Sequence, residues 1–356
     1  MTILLLVAGL TTLLAGAEFL VKGAMKIAEA IGISPLVVGL TVVAIGTSSP
    51  EMAVSVMASA TGQGNLALAN VVGSNLVNIL FILGISAIVV PLTVARQLIR
   101  FDVPVMIISS LLMLAFSFDG SFARWEGFVL LGLGCWYSVL LIRMSRQESK
   151  QQMVEGYLED GRMPAKKTGI LLSVFFVIAG LGMLVLGSRW LVSSATDIAR
   201  ILGIGEVVIG LTVVAAGTSL PEVATSAMAA FRGERDIAVG NVVGSSIFNL
   251  LFILGTSVAV SEASIPVSEQ LMQFDIPVMT AVAVACLPMF FTGRTIDRWE
   301  GVVFLGYYIA YTVFIVLANL RHSSLELFAA TMAWFVIPLT VLTLAVSVAG
   351  EIKKKK

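Results

Sequence analysis

The sequence predicts an all-α polytopic membrane protein, an inverted repeat of two five-helix halves with ten core transmembrane helices and an extra C-terminal helix. Three observations predict it. Hydrophobic residues make up 58% of the 356 residues and charged residues only 12%, against about 25% charged in soluble domains. Apolar runs of roughly 20 residues, the length that crosses the hydrocarbon of a bilayer as helix, recur along the chain. Two polar motifs inside those runs return at one fixed offset.

Eleven spans follow from the apolar runs, at 3–25, 34–60, 67–91, 102–118, 125–143, 168–192, 204–230, 237–260, 275–292, 299–319 and 326–349. The first lacks a basic n-region and is too long for a secretion signal, so it reads as a membrane helix. The longest polar interruption, 144–167, is the natural linker. It divides the chain into a first repeat at 1–143, the linker at 144–167, a second repeat at 168–320, and a final span with a basic tail at 321–356. The linker is too short for a regulatory calcium-binding domain.

Lysine and arginine favour the cytoplasmic side of a membrane. An outside N-terminus puts Lys26, Arg96, Arg100, Arg143, Arg146, Lys150, Arg162, Lys166, Lys167, Arg232, Arg235, Arg294, Arg298 and Lys353 to Lys356 inside. Only Arg124, Arg189, Arg200 and Arg321 then fall at or near the outside. The expectation is therefore a multi-pass protein of the plasma (inner) membrane, with the central linker and C-terminus cytoplasmic.

The repeat is explicit. Thr41–Ala60, TVVAIGTSSPEMAVSVMASA, aligns without gaps to Thr212–Phe231, TVVAAGTSLPEVATSAMAAF, with 13 of 20 positions identical. Ala69–Gly84 aligns to Gly240–Gly255 with 11 of 16 identical, and the offset is 171 in both cases. FDVPVM at Phe101 and FDIPVM at Phe274, and RWEG at Arg124 and Arg298, are weaker echoes. Shared lipid composition matches Leu and Val; it does not match Gly, Pro, Glu, Asn and Ser in register. Because each half holds five spans, the second enters the membrane from the opposite side, an arrangement that places sites near the midplane between repeats.

Glu51 lies about 25 Å along its span at ~1.5 Å per residue, far from either end. An acid near the centre of a membrane helix costs about 2.5–3.5 kcal/mol on insertion scales and usually marks an ion pathway or proton relay. Glu222 repeats it. Pro50 and Pro221 precede the two acids, lack an N–H, and clash with the carbonyls of Gly46 and Gly217. Each helix is expected to break at GTS and free carbonyl oxygens that lipid does not tolerate but a cation does. Thr47, Ser48, Thr218 and Ser219 add hydroxyls three and four residues before the acids. In the second motif Ser74 and Asn78, and Ser245 and Asn249, share a helix face at i, i+4. All are hard oxygen donors, the set Ca²⁺ takes six to eight at a time. With a single histidine, His322, and two cysteines, Cys135 and Cys286, in apolar segments, soft-metal, haem and iron–sulfur chemistry lack ligands. Two ionised carboxylates ~5 Å apart at an effective dielectric near 20 repel by about 3 kcal/mol, so a site without cations or protons resists rearrangement, a physical basis for antiport.

The pairs GTSxPE and NxxGSxxxN, each present twice with 23 residues from Glu to Ser, resemble the two alpha-repeats of the calcium/cation antiporter superfamily, specifically the bacterial sodium/calcium exchangers. The resemblance implies ten helices with four cation sites among the second, third, seventh and eighth spans. It implies Ca²⁺ ligands at Glu51, Glu222 and the carbonyls of Thr47 and Thr218. It implies Na⁺ ligands at the carbonyls of Ala44 and Ala215, at Ser48, Ser219, Ser74 and Ser245, with Asn78, Asn249 and the glutamates in the same set. The first and sixth helices would slide as a pair against the rest. Two features depart from the pattern. Asn stands at 249, where some members carry Asp, and an extra span follows Leu325. With Asn at both 78 and 249, the core carries −2, which one Ca²⁺ or two protons neutralise, so Ca²⁺/H⁺ exchange stands beside Ca²⁺/Na⁺ exchange. A passive cation channel would use acids similarly. An enzyme is disfavoured, since no nucleophile–base set, nucleotide loop or cofactor motif accompanies the acids. The expected partners are the bilayer and the transported ions, with no cofactor, nucleic acid or obligatory protein partner.

Five further acids invite local explanations. Glu18 and Lys22, four apart, are placed to pair. Asp102 and Asp275 read as helix starts, and Glu126 and Glu300 as first-turn acids that suit the helix dipole.

Overall fold

The computed structural model describes residues 2–160, 170–201 and 217–354. Its elements in chain order are α1 (Thr2–Ile31), α2 (Pro35–Thr47), α3 (Ser49–Ala60), α4 (Gly64–Val89), α5 (Leu98–Ser117), α6 (Arg124–Asp160), α7 (Ile170–Ile201), α8 (Leu220–Phe231), α9 (Arg235–Val260), α10 (Leu271–Phe291), α11 (Arg298–Asn319) and α12 (Leu325–Lys353). Among the described residues nine helices are long and apolar enough to cross a membrane, ten with the bent pair α2–α3 taken as one span. The expected seventh span, 204–230, begins in residues outside the described set; α8 is its described remainder. Ala215, Arg162, Lys166, Lys167, Lys355 and Lys356 likewise lie outside the described residues.

Local chemistry sets the helix ends. Ser34 caps α2, its Oγ accepting the Val37 N–H at 3.3 Å, with Pro35 in the first turn, where a missing N–H costs nothing. Asp297 and Glu300 form a reciprocal capping box at the start of α11, and the Ala123 N–H donates to Glu126 Oε2 at 2.8 Å at the start of α6. The first-turn acids therefore also satisfy orphan backbone donors. The polar linker differs from its expected form. Helix α6 runs on past residue 143 to Asp160, because Gln, Glu, Lys and Met are good helix formers.

Helices α4 and α9 form the centre: 78% and 94% of their most apolar stretches are buried, against 0% for α12, which lies at the periphery. The halves mirror each other in detail. Wide π-type turns occupy Val77–Ile82 in α4 and Asn249–Ile253 in α9, and again Leu98–Asp102 and Leu271–Asp275 at the starts of α5 and α10. Four two-residue strands clasp connections of one half to those of the other: β1 (Leu92–Thr93) pairs antiparallel with β4 (Thr295–Ile296), and β2 (Ser121–Phe122) with β3 (Ile265–Pro266).

Helices α1 and α7 run antiparallel with their backbones almost in contact. A Cβ on Gly16 would lie 2.8–2.9 Å from Met183 Cβ, Gly180 O and Leu184 N, and one on Gly187 would lie 2.6 Å from Leu13 N and 2.8 Å from Gly9 O. Gly23 meets the Ser173 carbonyl at 2.9 Å in the same way. Residues 9, 16 and 23 thus face 187, 180 and 173 at a seven-residue period, the close approach that small residues permit in membranes.

The helix-start reading of Asp102 and Asp275 needs correction. Both are buried at the last residue of a π-type turn. The Tyr137 hydroxyl donates to Asp102 Oδ1 at 3.0 Å, and Tyr311 to Asp275 Oδ1 at 2.9 Å. Gln97 Nε2 also donates to Asp102, at 3.1 Å. A buried carboxylate requires such donors, so these acids brace helix pairs.

Candidate cation site

The break expected at GTS is present. Helices α2 and α3 meet at a 49° bend with Ser48 at φ −83°, ψ 6°. Ser219, ahead of α8, has nearly the same conformation at φ −87°, ψ 4°. Pro50 and Pro221 fall in the first turns of α3 and α8, where proline is tolerated. Glu51 and Glu222 thus each stand in the first turn of a helix, where negative charge is favoured.

The two copies meet by exchange. Ser48 Oγ donates to Glu222 Oε1 at 2.9 Å, and Ser219 Oγ donates to Glu51 Oε1 at 3.3 Å. The Thr47 hydroxyl also lies against the Glu222 carboxylate and the Thr218 hydroxyl against that of Glu51, and each glutamate's own backbone N–H faces its carboxylate. The hydroxyls of each copy thus hold the acid of the other. Both carboxylates are buried, at 2% and 1% exposure. Oε2 of each is buried without a hydrogen-bond partner.

The second motif surrounds them from α4 and α9. Ser74, Asn78, Ser245 and Asn249 are all buried, with Asn78 and Asn249 at the first turns of the π-type segments, a device frequent at functional sites. Ser245 Oγ, Asn249 Oδ1 and Asn78 Nδ2 also lack partners. Unpartnered buried polar atoms are few in native proteins and call for an explanation such as an ion. Among the described residues no cluster of three or more His, Cys, Asp or Glu could hold a metal; the oxygens this site offers are those of two carboxylates with neighbouring hydroxyl, amide and carbonyl groups. The Ala44 carbonyl accepts the Ser48 N–H at 3.0 Å and the Thr47 hydroxyl at 3.4 Å. Gly46 and Gly217 admit close neighbours at the breaks: a Cβ would meet Leu181 Cδ2 at 2.7 Å and Val192 Cγ2 at 2.5 Å.

Sequence reasoning missed one layer. Asn70 Nδ2 donates to Ser55 Oγ at 2.9 Å, and Asn241 Nδ2 to Ser226 Oγ at 2.8 Å. The Thr47 hydroxyl stands 3.3 Å from Asn241 Oδ1, joining the break of one repeat to the central helix of the other. The signal was available: both asparagines open the shared NVVGS motif, and both serines follow the glutamates by four residues. Glu18 accepts from Lys22, as expected, at 2.6 Å, and also from Arg232 beyond α8.

The profile of the family described as Sodium/calcium exchanger protein matches residues 1–143 and 172–317. The putative antiporter CaxA of Alkalimonas amylolytica is 36% identical over 313 residues, 87% of this chain and 97% of the relative. The sodium/calcium exchanger MaX1 of Methanosarcina acetivorans is 33% identical over 344 residues, with the same coverage of each chain. A solved structure of the sodium-calcium exchanger NCX_Mj, soaked with zero Na⁺ and Ca²⁺, superposes with a TM-score of 0.75 at 30% identity, covering 90% of this chain and 99% of that one.

Proposed function

The chain belongs to the sodium/calcium exchanger protein family, and from that premise we propose that it is a secondary antiporter that exports Ca²⁺ in exchange for Na⁺ by alternating access. Glu51 and Glu222 are the shared anionic ligands, completed for Ca²⁺ by the Thr47 and Thr218 carbonyls. Na⁺ draws on the same acids with Ser48, Ser219, Ser74, Ser245, Asn78, Asn249 and the Ala44 and Ala215 carbonyls. The observation that carries this reading is the reciprocal pair of contacts, Ser48 to Glu222 and Ser219 to Glu51, with Oε2 of each carboxylate unpartnered.

The geometry suggests how loading and switching couple. A serine hydroxyl that donates to a carboxylate keeps its lone pairs for a cation. When the cation takes the carboxylate oxygens, the hydroxyl rotates and presents oxygen to the ion without backbone movement. Two helix N-termini stabilise the charge of the unloaded site only in part. Bound Ca²⁺, several Na⁺ or protons remove the remaining cost of moving two buried acids between accessible states. In the proposed orientation the N-terminus is outside and the basic tail cytoplasmic, the halves are 1–143 and 168–320, and no cofactor takes part.

Ca²⁺/H⁺ exchange is the second reading, favoured by Asn at both 78 and 249, which leaves two protonatable groups at the centre. Everted vesicles separate the two. Calcium uptake that requires a Na⁺ gradient supports the first. Uptake driven by a pH gradient in Na⁺-free buffer replaces it with the second. Saturating flux with obligatory counter-transport separates either from a passive channel.

A further inference from the structure

Helices α1 and α7 align without gaps at the same 171-residue offset, Ala8–Gly9–Leu10 with Ala179–Gly180–Leu181 and Gly16 with Gly187. Glu18 and Arg189 are therefore equivalent positions carrying opposite charges. The Gly9–Gly187 and Gly16–Gly180 contacts fix the register of the pair. Together with the offset, they put the level shared by the two halves near residues 183–184 of α7. Arg189 lies about 8 Å from that level at 1.5 Å per residue, within the hydrocarbon half-thickness of about 15 Å. It is an intramembrane arginine, deeper than its sequence assignment near the outside implied.

A charge at such depth needs a partner. Glu18 has two, Lys22 and Arg232. Arg189 has neither an ion pair nor a hydrogen bond to protein among the described residues. Its side chain is exposed and lines a cleft of about 540 Å³ between α7 and the α2–α3 bend, with Gly46, Ser49, Leu181, Gly182 and Val185. Roughly 300–1,000 Å³ is the range of sites that hold small molecules. The walls are apolar, the Ser49 hydroxyl is already engaged with the Ile45 carbonyl at 2.8 Å, and the cation stands at the rim. That combination matches an amphiphile with an anionic head.

We infer that this cleft is a binding site for an anionic phospholipid, with the phosphate on Arg189 and an acyl chain lying along Gly182, Val185 and Leu181 toward Gly46. Arginine suits a phosphate through its planar fork, and its long stem reaches from within the hydrocarbon toward the headgroup level. Helix α7 leaves room for the chain at Gly182, where an added Cβ would meet nothing within 4 Å. Neither buried acid lines the site, and the assignment does not depend on which ions the protein carries.

The test is lipid retention by the full-length protein. Purified protein is equilibrated with equal amounts of dioleoyl phosphatidylglycerol and dioleoyl phosphatidylcholine in detergent, and bound lipid is counted by native mass spectrometry. Wild type is expected to hold one phosphatidylglycerol under activation that strips other lipid. Arg189→Gln should reduce that retention at least tenfold, and Arg189→Lys should preserve part of it. Gly182→Leu, whose Cβ would meet nothing within 4 Å and whose side chain would occupy the cleft, should also reduce it tenfold with Arg189 intact. Equal retention in wild type and both loss variants, or equal retention of the two lipids by wild type, overturns the assignment. Loss in Arg189→Gln with Gly182→Leu unchanged overturns the cleft as the seat of the chain. Thermal unfolding measured alongside separates lost binding from lost fold, and a variant that melts early is replaced by Val185→Phe, read in the same way.

Discussion

Gly187→Ala tests the α1–α7 contact on which the architecture depends. The added methyl would sit 2.6 Å from Leu13 N, 2.8 Å from Gly9 O and 3.0 Å from Leu13 Cα. Ordinary contact begins near 3.4 Å, so the two helices must separate by several tenths of an ångström. The obstructing atoms are backbone of the antiparallel partner and cannot rotate aside. Overpacking of this kind costs about 1–3 kcal/mol, a shift of roughly 5- to 150-fold in the folding equilibrium. Alanine is also a better helix former than glycine by about 1 kcal/mol, so the net loss falls at the lower end of that range or somewhat below. Gly182→Ala is the matched control on the same helix. It gains the same propensity and meets nothing within 4 Å, so it should be neutral or stabilising by up to about 1 kcal/mol. Equilibrium unfolding in detergent followed by far-ultraviolet circular dichroism reads both variants. If Gly187→Ala unfolds at the same midpoint as Gly182→Ala, the backbone-to-backbone contact between α1 and α7 is not made as described.

Two further outcomes follow from the buried acids. Glu51→Gln and Glu222→Gln should each abolish calcium flux in vesicles while leaving the unfolding midpoint near that of wild type, because the amide keeps the shape and can still accept from Ser219 or Ser48; retained flux in both variants removes the glutamates from the site. Tyr137→Phe deletes the 3.0 Å donor to the buried Asp102 and should cost about 1–3 kcal/mol, seen as an earlier unfolding midpoint. Tyr137→Phe with Asp102→Asn should cost less than the tyrosine change alone, since no charge is then left short of a donor.

The parts of this molecule that were legible in the sequence are those written in local pattern. Apolar run length places the spans, the fixed offset declares the repeat, and Pro50 beside Glu51 announces a broken helix with an acid at its new start. The exchange between Ser48 and Glu222 was not legible, because nothing in a linear motif says that two copies will face each other within hydrogen-bonding distance. Asp102 and Asp275 were misread for a related reason. Their tyrosine partners lie 35 and 36 residues away, and the π-type turn that swings each acid inward leaves no mark on hydrophobic periodicity. The seven-residue spacing of Gly9, Gly16 and Gly23 is visible in the sequence, but a spacing names no partner. Only the antiparallel packing shows that Gly187, Gly180 and Ser173 complete it. The continuation of α6 beyond residue 143 shows the limit of polarity as a guide: charged residues end a membrane span without ending a helix.

The four short strands have a mechanical corollary. One clasp ties the connection between α4 and α5 to that between α10 and α11, and the other ties the α5–α6 connection to the α9–α10 connection. Every helix they secure belongs to one framework, stitched across both rims. Neither stitch touches α1 or α7, which are held chiefly to each other. The two rims are thus tied across the repeats, while the α1–α7 duo stands outside both ties.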